Sequence, residues 1–483
     1  MQLLEYLLLF NTVLFLFVLS FFGRRRSIQK VLLLLGTGIF ILHTILETPR
    51  WQMAFVYLIF SVLGLLYFKK SIAPLFLRIS GSLLAMILLG ISVVYSIGMP
   101  VLALKEPPGP YPVGHIWVTL LDNERHEPHS GDSFDKRSLL LEVWYPGKGR
   151  IDGKPMALWS GLYSGKKDII HFFTNYLQEV PTHSFPDLEP AKGRYPLILF
   201  NHGLQMFTGQ NTLLMEHLAS NGYIVASIGH PYESIRVDLG EGKVILPEFI
   251  SSLEKFREGM QWIAEASAPI EEAQKAIASL TDPEERGNLV LAAIEHADAI
   301  NETVVTWTRD SRFVLDRLLE TSPLSASIPA IDTVKIGIMG MSVGGAVAGE
   351  FCKVDPRVAA GINMDGLQYG TTQKDSLQVP FMMFASDDGQ GMNDFMFLRS
   401  KHAYFEYHLR GTKHADLTDM AIIWPILKYY GQSGVLPSER TVEIVHSVIL
   451  DFWDHYLKGR QNDLSSPRFP ELTLKTNHFT NSE

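Results

Sequence analysis

The hydrophobic and polar positions divide the chain near residue 104. Four apolar runs, residues 3–22, 31–46, 51–68 and 79–104, follow one another with short breaks. A helix that crosses a bilayer needs about 20 apolar residues, so residues 1–104 are expected to form a bundle of four spans. From residue 138 the pattern changes. Short β-rich runs at 139–144, 197–201, 224–228, 334–339, 359–364, 381–385 and 404–409 alternate with helical periodicity around 208–220, 304–319 and 344–352. Several runs are apolar throughout, as in central strands covered on both faces. The alternation predicts an α/β fold, a mostly parallel sheet with helices on both faces. Residues 442–458 close it with a helical pattern that stops at Gly459. Between 242 and 300 the strand rhythm gives way to charged helical sequence. This insertion reads equally as a lid over a site and as a solvated helical excursion. The expected divisions are an anchor at 1–104, a linker at 105–114, a globular domain at 115–460 and a C-terminal tail at 461–483.

Charge orients the bundle. Arg24, Arg25, Arg26 and Lys30 lie between the first and second runs, and Lys69, Lys70 and Arg78 between the third and fourth. Arg50, in the remaining loop, is balanced by Glu47. The positive-inside rule puts both basic loops in the cytoplasm, and the amino terminus and everything after residue 104 outside the cell membrane. Within the runs the ionisable residues are Glu5 and His43; the histidine reads as a packing residue and the bundle as an anchor. The linker Lys105-Glu-Pro-Pro-Gly-Pro-Tyr-Pro-Val-Gly114 should extend as a stiff spacer of about 25–30 Å, given about 3.1 Å per residue in Pro-rich chain. A net charge of −9, with no Lys/Arg block outside the membrane-proximal loops, excludes a basic nucleic-acid surface. The single cysteine, Cys352, forms no intrachain disulfide and reads as a small buried helix residue.

The chemistry gathers around one serine. Gly340-Met341-Ser342-Val343-Gly344 follows a predicted strand and opens a helix through Gly345 and Ala346. This is the G-x-S-x-G elbow, in which a sharp turn exposes the hydroxyl and glycines let strand and helix approach. It predicts an α/β-hydrolase fold with Ser342 as nucleophile. A serine needs a general base and an orienting acid, and in this fold they follow in the order acid, histidine. His414 lies in the loop after the last predicted strand. Asp365 follows the strand next after the elbow, and Asp387 and Asp388 follow the one after that. All three carboxylates sit at carboxyl ends of strands, where such a sheet gathers its site, and position alone leaves the acid open. Oxyanion donors are expected from the backbone of Val343 and from an early loop, Asn201-His202-Gly203-Leu204, through the Leu204 N–H. Metal-binding and dinucleotide motifs are missing, so neither a metal nor another cofactor is expected.

At these residues the chain resembles the plasma-type (isoform II) platelet-activating factor acetylhydrolase family. The likeness is carried by Gly109-Pro-Tyr-Pro-Val-Gly114, Pro196-Leu-Ile-Leu-Phe-Asn-His-Gly-Leu204, the elbow, and Gly411-Thr-Lys-His414, with Ser138-Leu-Leu-Leu-Glu-Val-Trp-Tyr-Pro146 matching the first core strands. It spans roughly 107–460 and leaves out the membrane runs. It implies calcium-independent hydrolysis of short or oxidised acyl chains from phospholipids. It also implies Ser342, Asp365 and His414 as the catalytic set, with the Leu204 and Val343 backbones at the oxyanion. Met341 stands where the family commonly has histidine, and the insertion is hard to match. The expectation is therefore a membrane-anchored serine esterase that takes an ester or lipid substrate at the bilayer. A general carboxylesterase or depolymerase on soluble extracellular esters, and an inactive hydrolase-fold receptor, are the rival readings.

Overall fold

A computed structural model of the chain describes residues 1–22, 25–69, 74–149, 153–320 and 324–477. Helices α1 (Leu3–Phe21), α2 (Arg26–Leu46), α3 (Ala54–Phe68) and α4 (Leu75–Gly98) form the bundle. Four helical stretches, Leu3–Phe21, Arg26–Leu46, Trp51–Phe68 (α3 with the turn before it) and Phe76–Gly98, are long and apolar enough to cross a membrane. The second span begins five residues earlier than the apolar run suggested, because Arg26 to Lys30 continue the helix. The fourth ends at Gly98, six residues short of the expected 104. Arg24 and Lys70 lie outside the described residues. Arg50 is balanced differently from the sequence expectation: its guanidinium meets Glu5 at 2.5 and 2.7 Å, both side chains fully buried. Glu47 instead accepts from the Leu4 N–H and bonds His43, whose other nitrogen meets the Tyr57 hydroxyl at 2.6 Å. The pairing spans 45 residues, which a local charge count does not reach.

Ten strands form the main sheet: β1 (Val113–His126), β2 (Lys136–Pro146), β3 (Ser184–Pro186), β4 (Arg194–Asn201), β5 (Ile224–Gly229), then, after a small hairpin of β6 (Val237–Asp238) and β7 (Val244–Ile245), β8 (Ala330–Met341), β9 (Val358–Met364), β10 (Phe381–Ala385), β11 (Tyr404–Leu409) and β12 (Leu472–Thr476). Their order is β12-β11-β10-β9-β8-β4-β5-β2-β1-β3. The run from β5 through β11 is parallel; β2 joins β5, and β12 joins β11, antiparallel. Two apolar layers cover the faces. One packs α6 (Thr212–Ser220), which follows the short helix α5 (Ile169–Thr174) in the chain, and the C-terminal helix Ser438–Lys458, with Leu214, Leu218, Phe452 and Trp453 against Ile198, Met339 and Ile362. The other packs helices α7 (Leu253–Ile277), α8 (Pro283–Ile294), α9 (Asp298–Leu319) and Val343–Val354, with Val290, Trp307, Val314 and Ala346 against Leu199, Ala226 and Ile338. Cys352 is buried there, and burial pushes its thiol pKa well up.

Two boundaries shift. The linker expected at 105–114 packs on the domain: Tyr111 N–H donates to the Ser220 carbonyl at 3.0 Å, a Cβ on Gly109 would lie 2.1 Å from that same oxygen, and β1 starts at Val113. Met99, Val101, Leu102 and Leu104 pack on a cluster of Trp159, Tyr176, Phe207 and Ile423. Within the tail expected at 461–483, β12 extends the sheet. The bundle consequently sits directly on the α/β domain. Trp51 Nε1 donates to the Phe173 carbonyl at 3.1 Å, the Tyr95 and Tyr430 hydroxyls meet at 3.0 Å, and Ile426 fills the space a Cβ on Gly98 would need.

Candidate active site

Ser342 sits between β8 and the helix Val343–Val354 with φ 57° and ψ −123°. A non-glycine residue there stores about 1–3 kcal/mol, and the close packing around it keeps the turn in place. A Cβ on Gly344 would lie 2.0 Å from the Asn201 carbonyl oxygen, and one on Gly340 2.1 Å from the Gly344 oxygen. Strand, helix and the end of β4 therefore meet only because those positions carry no side chain. Ser342 N–H donates to the Met364 carbonyl at 2.8 Å, which ties the turn to the end of β9.

Asp365 is the next residue, also at positive φ, 55°. Its Oδ2 meets His414 Nδ1 at 2.8 Å and accepts from Ser386 Oγ at 2.7 Å, while Oδ1 accepts from Ser386 N–H at 2.7 Å. A Cβ on Gly366 would lie 2.0 Å from the Ser342 carbonyl, so the acid and serine turns are in contact. His414 lies in the loop after β11, its side chain 47% exposed, whereas that of Asp365 is 1% exposed. Burial opposes charge on both groups, but their mutual hydrogen bond and attraction outweigh it. The His414 pKa stands above the ordinary histidine value and the Asp365 pKa below the ordinary carboxylate value.

The other two carboxylates do not reach the His414 ring. Asp387 bonds His408 Nε2 at 2.8 Å and accepts from Gly411 N–H at 3.0 Å. Asp388 accepts from the His414 backbone N–H at 3.2 Å. Both brace the histidine loop from below. Across the serine, a Cβ on Gly203 would lie 3.4 Å from Ser342 Cβ. In the turn that follows, Gln205 N–H donates to Glu233 O and Met206 N–H to Gly203 O. Among the described residues nothing accepts from the Leu204 N–H. Val343 opens its helix, where an N–H has no intrahelical acceptor.

A cleft of 180 Å³ opens beside the pair, lined by Asp365, His414, Leu367 and Met392 and by Ile270 and Gln274 of α7. Gln274 Nε2 donates to the Asp388 carbonyl at 2.6 Å. Two residues of the 242–300 insertion, Ile270 and Gln274, thus reach the cleft beside the Asp365–His414 pair. A larger polar cleft of 630 Å³ adjoins it through Gln274 and Asp388 and contains Arg286, Asp394, Glu406 and Lys475. Sequence reasoning missed Ser386, which satisfies both oxygens of Asp365; nothing in Ala-Ser-Asp-Asp marks that serine off from its neighbours. It also missed Ile270 and Gln274, which reach the cleft from a segment with no site motif. Among the described residues no group of three or more His, Cys, Asp or Glu side chains is placed to hold a metal ion.

Sheet order, elbow and relatives together define an ester hydrolase of the α/β-hydrolase superfamily. The sequence model of the family described as platelet-activating factor acetylhydrolase, isoform II, matches residues 132–467; the chain belongs to that family. A platelet-activating factor acetylhydrolase of Cavia porcellus is 23% identical over 357 residues, covering 69% of this chain and 75% of its own. The Gallus gallus protein of the same name is 23% identical over 332 residues, covering 62% and 73%. Among solved structures, a ferulic acid esterase from Streptomyces cinnamoneus superposes with a TM-score of 0.58 at 24% identity, over 78% of this chain and 99% of its own. That likeness concerns the fold.

Proposed function

We propose that the chain is a serine esterase, held in a membrane by its first four helices, that hydrolyses short-chain or oxidised acyl esters, including those of phospholipids. The observation that carries the reading is the 2.8 Å contact between Asp365 and His414, in a turn packed against the strained Ser342. Asp365 fixes the imidazole with its proton on Nδ1, so Nε2 offers a lone pair to the Ser342 hydroxyl. As the serine oxygen attacks the ester carbonyl, His414 takes its proton. The Leu204 and Val343 amides receive the developing oxyanion. His414 then protonates the departing alcohol and leaves an acyl-serine. Water, deprotonated by the same imidazole, releases the acid and restores the serine.

Membership of the acetylhydrolase family supports the acyl and lipid preference. Two observations support the setting. The domain meets the bundle at the end bearing Trp51 and Tyr95, whereas Arg25, Arg26, Lys30, Lys69 and Arg78 lie toward the other end. By the positive-inside rule this arrangement supports a site outside the cytoplasm. Residues 420–430, which follow the His414 loop, meet the bundle through Ile426 and Tyr430, which supports a cleft close to the bilayer.

The first test is Ser342→Ala, which should abolish hydrolysis of a short-chain nitrophenyl ester and labelling by a fluorophosphonate without lowering thermal stability. Retained turnover would overturn the mechanism. A panel of short, long and oxidised acyl phospholipids in vesicles, set against soluble nitrophenyl and feruloyl esters, tests the substrate class. Equal or better turnover of the soluble esters would move the reading to a carboxylesterase.

A further inference from the structure

Behind the Leu204 turn lies a buried polar cluster that touches neither Ser342 nor His414. His202, wholly buried, donates through Nδ1 to the Gly203 carbonyl at 2.7 Å and accepts through Nε2 from Ser234 Oγ at 2.8 Å. Ser234 Oγ in turn accepts from His230 N–H at 3.1 Å. Burial, with the charge of His230, holds the His202 pKa down to about 3, so the ring is neutral with Nε2 as acceptor. The His230 ring lies between Asp310, at 2.8 Å, and the Asn201 side chain, at 3.0 Å, and stacks on Trp307 at 3.9 Å. Arg137 grips Asp310 at 2.7 Å, Glu127 at 2.9 Å and Glu233 at 3.3 Å. Glu233 closes the circuit: its carboxylate accepts from Trp307 Nε1 at 2.9 Å, and its carbonyl accepts from Gln205 N–H at 2.8 Å.

Both ends of the turn, Asn201-His202 before Leu204 and Gln205 after it, are thereby tied to one cluster. Gln205 is held at φ 58°, a conformation non-glycine residues seldom adopt. Burying an arginine with three carboxylates is an inefficient way to gain stability, since apolar side chains of equal volume commonly do as well. Directional bonds do what an apolar filling does not: they fix the angle at which a backbone N–H points.

We infer that Arg137, Asp310, His230, Glu233 and Trp307 are positioning residues that aim the Leu204 amide at the oxyanion. The inference rests on the serine-esterase reading of the site. Because none of these side chains lines the cleft, they should act on the tetrahedral state and leave ground-state binding alone.

The test uses the full chain in detergent with Asp310→Asn and Trp307→Phe. Its readouts are kcat and KM on a nitrophenyl ester, inhibition by a trifluoromethyl ketone (which forms a tetrahedral adduct on a serine), and the pH profile. Removing one oxyanion donor outright costs about 100–1000-fold in kcat, so a misaimed donor should cost about 10–100-fold for Asp310→Asn. KM should hold within about twofold, and ketone affinity should fall in parallel with kcat. The acid limb of the pH profile should not move, because the Asp365–His414 pair is untouched. Trp307→Phe keeps the stack on His230 and removes only the N–H to Glu233, so it should show the same pattern at about 3–10-fold, a smaller share of the same donor loss. A folded Asp310→Asn with kcat and ketone affinity within twofold of wild type overturns the inference. Should that variant not fold, Trp307→Phe decides on the same criteria. Ser342→Ala separates the two levels: if it keeps turnover, the underlying reading falls, and if it is dead while both variants match wild type, only the positioning role falls.

Discussion

Replacing Asp365 by asparagine removes a charge while leaving the side chain's shape almost unchanged. Its Oδ1 accepts from the Ser386 backbone N–H, and its Oδ2 faces His414 Nδ1 and the Ser386 hydroxyl. The backbone N–H can only donate, so the asparagine oxygen should stay on that side and the amide nitrogen should turn toward His414. An N–H pointed at Nδ1 forces the imidazole proton onto Nε2, the nitrogen that must accept from Ser342. The ring is then in the wrong tautomer to act as a base. In Ser-His-Asp sites this substitution costs about ten-thousandfold in kcat, or about 5 kcal/mol at about 1.36 kcal/mol per decade. Asp388 offers a single hydrogen bond to the His414 backbone, worth about 0.5–1.5 kcal/mol, so Asp388→Asn should cost no more than about tenfold. Asp387→Asn, which disturbs His408 and Gly411, should cost no more. The assay is kcat on a nitrophenyl ester for the three purified full-length variants. An Asp365→Asn enzyme within tenfold of wild type, or a thousandfold loss on changing Asp387 or Asp388, refutes the assignment of the acid.

Further outcomes follow from the same geometry. His414 must be neutral to accept a proton, and Asp365 holds its pKa above the ordinary value; kcat/KM should therefore fall on acidification with a midpoint above about 6.5, and a midpoint below that contradicts the coupling. Gly344→Ala would set a Cβ 2.0 Å from the Asn201 oxygen and should cost about 1–3 kcal/mol or more, seen as a lowered Tm together with lost activity; an unchanged Tm would show that the turn has room. Arg50→Ala leaves Glu5 buried without its partner and should cost about 3–5 kcal/mol, measurable as a lower unfolding temperature in detergent. A Tm within a degree or two of wild type would mean that water reaches the pair.

The sequence made legible whatever depends on local pattern. The seven expected strands all lie in the sheet, because central strands bury both faces and read as apolar runs. Strand β1 escaped notice because its outer half, Leu121-Asp-Asn-Glu-Arg-His126, is polar and largely solvent-facing. Strand β12, Leu-Thr-Leu-Lys-Thr, is a short edge strand paired with β11, too short to stand out as a pattern. Chain order points to Ser342 and His414. It leaves the acid open, because Asp365 and Asp387 both end strands of one parallel sheet, and only the direction of each side chain separates them. Partners distant in the chain, such as Glu5 with Arg50 and Arg137 with Asp310, leave no trace in any window of the sequence.

The packing of residues 99–111 onto the domain has a consequence for which molecules the enzyme can reach. A catalytic domain on a free tether explores a range of heights above the membrane and meets esters wherever they lie. Here the bundle and the domain share a packed seam through Ile426, Tyr430 and Phe173, so with the bundle in a membrane, as proposed, the serine would work at one fixed altitude. Such an enzyme would sort its substrates by depth. An ester drawn down by a long apolar chain stays below the cleft, while one whose chain is short, or carries a polar group that resists burial, rises to meet it. Selectivity for damaged or truncated lipids could then arise from where the site is mounted as much as from the shape of its walls.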